Sequence, residues 1–407
     1  MSRSSSRSSA TLLVLAYLAF ISLGLPDAVL GVAWPSLRDA FALPQALLGA
    51  PLAIAAAAYF TSGLLAGRLI QRLGIGLLLA GSTALVAAGV LGISAAPAFA
   101  VILLVMPFMG FGSGAIDAAL NTYAASNFSP KHMSWLHAAY AAGAMAGPAI
   151  MTAVLARGGS WRIGYAVVGG LLAALVLAFA AARKRWDADP PATPQVVIDA
   201  PGSVGPVRLD EPPLSGFSAL RSSRVWLQVA TFFVYTGIEV SAGQWSYTLL
   251  TEARGLGAAA AGTWVAVYWG GLLAGRLLLG FVVERVGQVQ LLRYATVGVL
   301  VSAVLFAIPG WSFGAAALPL LSFSLASIFP GLMTETPRRV GERLAPHAVG
   351  FQVSAATLGV AVVPSVAGLL SQRFGLEAVC WVIAGTALLL VVLHERLVAI
   401  TKERPAA

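Results

Sequence analysis

The chain has 407 residues, of which 58% are hydrophobic and 10% charged, and a formal net charge of +9. A soluble domain carries roughly a quarter charged residues, so a surface facing water on all sides is excluded, and the mean hydropathy of +0.85 points to lipid as the main neighbour. The positive balance does not indicate nucleic acid, because the basic residues gather in short loops on one side of the apolar runs, as membrane orientation requires.

Residues 1–10 are polar and carry Arg3 and Arg7. The apolar run behind them is too long for a signal-peptide core and lacks a clear small-residue cleavage site, so it is read as a retained first span. At about 20 apolar residues per span, helices are predicted over 11–34, 44–71, 75–94, 97–126, 132–156 and 161–182. The runs are long and continuous and do not alternate, which selects helices over a closed barrel. Residues 183–223 then hold Arg183-Lys184-Arg185 followed by Pro190, Pro191, Pro194, Pro201, Pro206, Pro212 and Pro213. Such a stretch supports neither a long helix nor a packed core and reads as a linker. A second series follows over 224–250, 258–283, 289–308, 311–333, 346–370 and 376–394. The expected fold is an all-α membrane protein with twelve transmembrane helices in two pseudo-symmetric six-helix bundles, 1–182 and 224–407, joined by the linker 183–223. The single cysteine, Cys380, excludes an intrachain disulfide, and no metal cluster is suggested.

Loop charge sets the orientation. One side carries Arg68, Arg72, Lys131, the 183–185 cluster, Arg285, Arg293, Arg338, Arg339 and Arg343, and both termini add basic residues. The other side carries only Arg38, Arg157, Arg162, Arg254 and Arg373. Both termini and the linker are therefore expected in the cytoplasm. Alanine-, glycine- and arginine-rich usage suggests a bacterial inner membrane.

The two halves repeat one another. Asp27-(x)3-Gly31-(x)2-Trp34 is matched by Glu239-(x)3-Gly243-x-Trp245. Gly67-Arg68-Leu69-Ile70-Gln71-Arg72-Leu73-Gly74 is matched by Gly280-Phe281-Val282-Val283-Glu284-Arg285-Val286-Gly287, and Pro148 by Pro364. The offset is nearly constant, which argues for an internal duplication. An acid in the first apolar run of each half points to transport, because intramembrane acids are costly and seldom merely structural.

Asp27, Asp117, Asn121 and Glu239 are the candidate proton-coupling or substrate-binding residues. Asp117 and Asn121 are four apart and share a helix face, and Gly110, Gly112 and Gly114 permit close approach of another backbone. An ionised acid at mid-membrane costs roughly 2.5–3.5 kcal/mol, so the neutral form is favoured there, a property a proton carrier uses. The structural alternatives are pairing of Asp27 with Arg38 or its capping of a break at Pro26, and a helix–helix clamp at Asp117. Arg276 is the expected partner of Glu239. Weaker candidates for substrate contact are His137, the amides Gln244 and Gln352, which can bind hydroxyls, and Trp245 and Trp269, which can stack on a sugar ring. Trp34 and Trp264 read as interfacial belt residues. The frame Gly110-Phe111-Gly112-Ser113-Gly114 lacks the Lys-Ser/Thr of a phosphate loop, so ATP-driven transport is not indicated.

The twelve predicted spans, the long linker and the paired Gly-x-x-x-Gly/Arg…Gln/Glu-Arg-x-Gly segments after the second and eighth spans resemble the major facilitator superfamily. The resemblance implies alternating access about a midplane site, with gating by Gly67, Arg68, Gln71, Arg72, Gly280, Glu284 and Arg285. The family's usual acid in this loop is Gln71 in the first copy and is kept as Glu284 in the second. Locally, the stretch from Gly112 to Tyr123, with Asp117 and Asn121, is similar to the fourth span of fucose–proton symporters. Tyr235-Thr236-Gly237-Ile238-Glu239 is similar to the seventh span of that group and its sodium-dependent glucose branch. Where those symporters carry a polar fifth-span amide this chain has Tyr140, a further candidate for substrate contact, so fucose itself is not indicated. The expectation is a carrier rather than an enzyme: a monomer in the lipid bilayer, without cofactor, that uses the proton gradient (sodium being the other option) to import a small polar solute such as a sugar. The alternatives are a proton-driven antiporter exporting amphipathic compounds and a sensor that has lost transport.

Overall fold

A computed structural model describes residues 2–128, 130–186, 219–308 and 314–403. The greater part of the expected linker, 187–218, lies outside the described residues. All regular structure among them is helical: α1 (Ser2–Asp27), α2 (Val29–Ala40), α3 (Gly49–Ala95), α4 (Phe99–Asn127), α5 (Pro130–Leu155), α6 (Trp161–Trp186), α7 (Ser223–Thr248), α8 (Ala258–Val286), α9 (Gln288–Ala307), α10 (Ala317–Leu325), α11 (Ile328–Val340), α12 (Ala345–Phe374) and α13 (Ala378–Glu403), with short 3₁₀ and π turns between some of them. Apolar helices satisfy every backbone group within themselves, which lipid demands. Large apolar side chains such as Leu64, Leu104, Leu177 and Trp381 are exposed on the outside, as expected where acyl chains are the neighbour.

Among the described residues, ten helical segments are long and apolar enough to cross a membrane. The difference from the twelve predicted spans has two sources. The predicted spans 44–71 and 75–94 run together as α3, broken at Gly74, whose φ of 72° and ψ of 164° interrupt the helix. The other is α8, which is 29 residues long and is not counted among the ten.

Two further spans are discontinuous. The first breaks at Ala28, just past Pro26 and Asp27, into α1 and α2. The predicted span 311–333 is α10 and α11, parted at Ala326 and Ser327, and α11 runs on to Val340. That extension corrects the expected loop position of Arg338 and Arg339: both are helical, and Arg339 is only 2% exposed. Likewise Arg183, Lys184 and Arg185 form the last turn of α6, which ends on the fully buried Trp186.

Within the first half α3 packs on α4 and α6, and α1 on α5. Within the second, α7 packs on α12 and α13, α8 on α10, and α9 on α10 and α13. Across the halves α5 meets α8, α3 meets α12, and α2 meets α7. Thr152, late in α5, touches Gly262, early in α8, whereas the carbonyl of His137, early in α5, accepts a 2.8 Å bond from Arg276, late in α8. The pair is therefore antiparallel and defines two ends: a linker end, where α5 and α7 begin and α8 finishes, and a distal end, where α2 and α7 finish and α3 and α8 begin.

Candidate functional site

Asp27 sits at the break between α1 and α2, where a helix interrupted by proline frees backbone groups for other partners. Its carbonyl accepts a 2.9 Å bond from Gln244 Nε2 of α7, and its Oδ2 accepts a 3.0 Å bond from the Tyr140 hydroxyl of α5. The side chain is open to water although protein surrounds it on every side. A deep, wetted carboxylate of this kind lines an internal cleft. Asp27 does not pair with Arg38, which instead binds Asp39 at 2.8 Å and Glu252 at 2.9 Å.

Asp117 is held at both oxygens. Tyr59 Oη of α3 donates to Oδ2 at 2.7 Å, and Asn121 Nδ2, one turn further along α4, donates to Oδ1 at 2.9 Å. Gly114 makes the first of these bonds possible: a Cβ there would lie 2.5 Å from the Tyr59 carbonyl oxygen, so only glycine lets α3 and α4 approach this closely. Asp117 and Asp27 lie within electrostatic reach of one another.

Glu239 completes the set from the second half. Its Oε2 accepts a 2.5 Å bond from Tyr235, one turn back on α7, and its backbone carbonyl accepts a 2.8 Å bond from Tyr268 of α8. Arg276 is its electrostatic neighbour, as expected from the sequence, but the two form no direct ion pair. The guanidinium lies 5.5 Å from the centre of the Tyr140 ring and donates to the His137 carbonyl. Tyr140 feels Asp27, Glu239 and Arg276 together, so it joins the acids of the two halves.

Each acid thus accepts a tyrosine hydroxyl: Tyr140 on Asp27, Tyr59 on Asp117, Tyr235 on Glu239. A neutral phenol donating to a carboxylate satisfies one lone pair without a counter-ion, and it leaves the acid free to take up a proton. Among the described residues, no group of three or more His, Cys, Asp and Glu is arranged to hold a metal.

The structure brings the sequence candidates Asp27, Asp117, Asn121, Tyr140, Gln244 and Glu239 into one region; sequence reasoning had named them separately. It did not assign roles to Tyr59, Tyr235 or Tyr268. Tyr235 was findable, being four residues from Glu239 on one helix face. Tyr59 and Tyr268 act across helices and have no local signal.

The remaining candidates lie elsewhere. Gln352 is fully buried and bonds Gln228 Oε1 at 2.9 Å and Thr336 Oγ1 at 3.0 Å, an interhelical network away from the cleft. Trp245 is fully buried and donates to the Pro364 carbonyl at 3.0 Å. Trp269 is 3% exposed and covers Gly243. The His137 ring stands edge-on to Phe20 at 5.3 Å. Neither tryptophan offers a face for stacking. Trp34, read as a belt residue, is instead fully buried, and its Nε1 donates to Gln45 at 3.1 Å. Of the gating residues, Gly67, Arg68, Gln71, Arg72, Glu284 and Arg285 are exposed, and none of these side chains makes a hydrogen bond or ion pair among the described residues. Gly280 lies within α8 near the same end.

The fold and the acid-lined cleft define a polytopic, all-helical secondary transporter. Residues 16–359 match the family model of the Major Facilitator Superfamily, and the chain belongs to that family. Bypass of stop codon protein 6 of Saccharomyces cerevisiae is 23% identical over 390 residues, covering 89% of this chain and 78% of the yeast protein. Among solved structures, the nucleoside transporter NupG superposes with a TM-score of 0.75 at 14% identity, covering 96% of this chain and 99% of NupG. FucP, in its outward conformation, gives 0.64 at 16% identity with the same coverages. A bacterial homologue of the human lysosomal transporter Spinster, inward-facing and occupied, gives 0.69 at 12% identity over 97% of each chain. At these identities the likeness concerns the fold.

Proposed function

We propose that this chain is a proton-coupled symporter that imports a small, neutral, hydroxyl-bearing solute, and that residues 1–182 and 224–407 rock about the acid cleft as two six-helix bundles joined by 183–223. The observation that carries this reading is the set of three tyrosine–carboxylate pairs, contributed by both halves and reached by water at Asp27. Carboxylates and phenols can both accept and donate to hydroxyl groups, and Asn121 adds an amide. The carboxylates can also take up and release protons across the barrier. Two of the similar structures are of a nucleoside transporter and a fucose:proton symporter, whose solutes carry sugar hydroxyls.

The basic loops support a cytoplasmic linker end, and the contacts at the two ends bear on the state. The distal end is bridged by Arg38, Gln45 and Glu252, while the gating residues of the linker end are unlatched. These contacts support an inward-facing arrangement. A thermal-shift screen of sugars, nucleosides and organic acids on the purified protein identifies the solute. Uptake into proteoliposomes driven by an inward proton gradient then tests the reading. Export of the solute under the same gradient would instead establish an antiporter.

A further inference from the structure

Several buried polar groups outside the cleft lie near the linker end of the second half. Arg339 of α11 is 2% exposed and His394 of α13 is fully buried. Among the described residues, neither Nη1 nor Nη2 of Arg339, nor either ring nitrogen of His394, has a hydrogen-bond partner. The two side chains lie within electrostatic reach of each other. One turn before Arg339, Thr336 donates to Gln228 Oε1 at 3.0 Å, and the Gln228 amide nitrogen is itself buried without a partner.

The carboxylates nearby do not fill this gap. Glu335 is an electrostatic neighbour of Arg339, but its Oε1 lies 3.4 Å from Arg338. Glu395 is bonded to Arg293 at 2.7 Å. Arg224, the next basic residue, donates to the carbonyls of Arg339 and Ile400 and brings further positive charge. A buried donor left unsatisfied costs about 1–3 kcal/mol, and more when it is charged. A buried guanidinium with no carboxylate bonded to it is costlier still. Water would satisfy the donors but bring no negative charge to the guanidinium.

We propose that a small inorganic anion of halide size binds between Arg339 and His394, held by the two terminal guanidinium nitrogens and one imidazole N–H. The position is shut off from solvent, which favours a monatomic ion over a larger oxyanion. Bound there, the anion ties α11 to α13. This site is distinct from the acid cleft and does not rest on the transport reading.

The test is thermal unfolding of the purified full chain in sodium gluconate, titrated with chloride or bromide at constant ionic strength, with acetate and phosphate in parallel. The expected result is a saturable rise in unfolding temperature with either halide and little change with acetate or phosphate. In Arg339→Gln the halide midpoint should weaken at least about tenfold, the scale of one lost charge-assisted hydrogen bond. Because that variant could fail to fold, anomalous scattering from bromide-soaked crystals of the unaltered chain supplies a second readout. A bromide peak beside Arg339 Nη1 and His394 supports the proposal. Water-level density there, halide-independent unfolding, or stabilisation by acetate or phosphate alone would overturn it.

Discussion

The two ends of this molecule are in opposite condition. At the distal end Arg38 Nη1 and Gln45 Nε2 converge on Glu252 Oε2 at 2.9 and 3.0 Å, and Trp34 braces Gln45 from within the core. Beneath this latch α2 lies against α7 so closely that a Cβ on Gly31 would stand 2.6 Å from the Gln244 carbonyl oxygen. At the linker end, Arg68, Gln71, Arg72, Glu284 and Arg285 are exposed and unbonded among the described residues. The lesson is that a closed end needs both backbone contact and a polar clasp, whereas an open end leaves its clasp residues in water. A carrier alternates by exchanging which end is so furnished, and each state persists only by the difference in free energy between the two sets of contacts.

The largest effect on this contrast should come from Gly31→Val. Forcing branched carbons into that contact costs about 1–3 kcal/mol and penalises only the state whose distal end is sealed. Transport should fall at least tenfold, on the scale of about 1.4 kcal/mol per factor of ten. A cysteine placed at Gln45 in a Cys380→Ser background should become reactive to an impermeant maleimide from the distal side. Unchanged protection of that cysteine would show that the α2–α7 contact does not hold the seal.

A smaller effect belongs to the latch itself. Arg38 and Glu252 are partly exposed, so a double-mutant cycle with Arg38→Ala and Glu252→Ala should give a coupling of about 0.5–1 kcal/mol. It should appear as a shift toward the distal-open state, with the fold intact by circular dichroism. Additive effects of the two substitutions on cysteine reactivity would contradict the latch.

The smallest effect concerns a loop pair at the distal end whose two members both belong to the second half. Arg254 grips Glu377 with two bonds, at 2.9 and 2.8 Å, and holds its carboxyl below the usual carboxylate range. An acid so depressed adds stability above its unfolded pKa and loses it as pH falls through the folded value. Thermal stability should therefore drop on acidification below about pH 4, and Glu377→Gln should flatten that drop by a few tenths of a kcal/mol. Identical acid profiles for the two proteins would remove this pair from the ledger.

How far the sequence reaches is clear from individual residues. The apolar runs and repeated frames carried the helices, because lipid leaves the backbone one economical choice. Asp27, Asp117 and Glu239 were legible because charge inside an apolar run has no inexpensive explanation, and Asn121 because helical spacing puts it beside Asp117. The gap between 44–71 and 75–94 already marked the break at Gly74, and Pro26 the one beside Ala28, whereas nothing in the run 311–333 marked the parting at Ala326 and Ser327. Nor was the burial of Arg339 legible: two consecutive arginines read as a loop, and only the packing of α11 against its neighbours takes one of them inside. Gln352, Trp245 and Trp269 were misplaced for a related reason. Helix periodicity states that two residues share a face and is silent on whether that face meets a cleft or another helix.

The central claim is that a proton on the tyrosine-held acids couples the two ends. It is tested most directly by comparing wild type and Glu239→Gln in proteoliposomes, once the solute is in hand, in two modes: exchange without a gradient, and accumulation driven by an inward proton gradient. The account predicts that the variant exchanges solute as wild type does and no longer accumulates it. Gradient-driven accumulation at the wild-type level would contradict it.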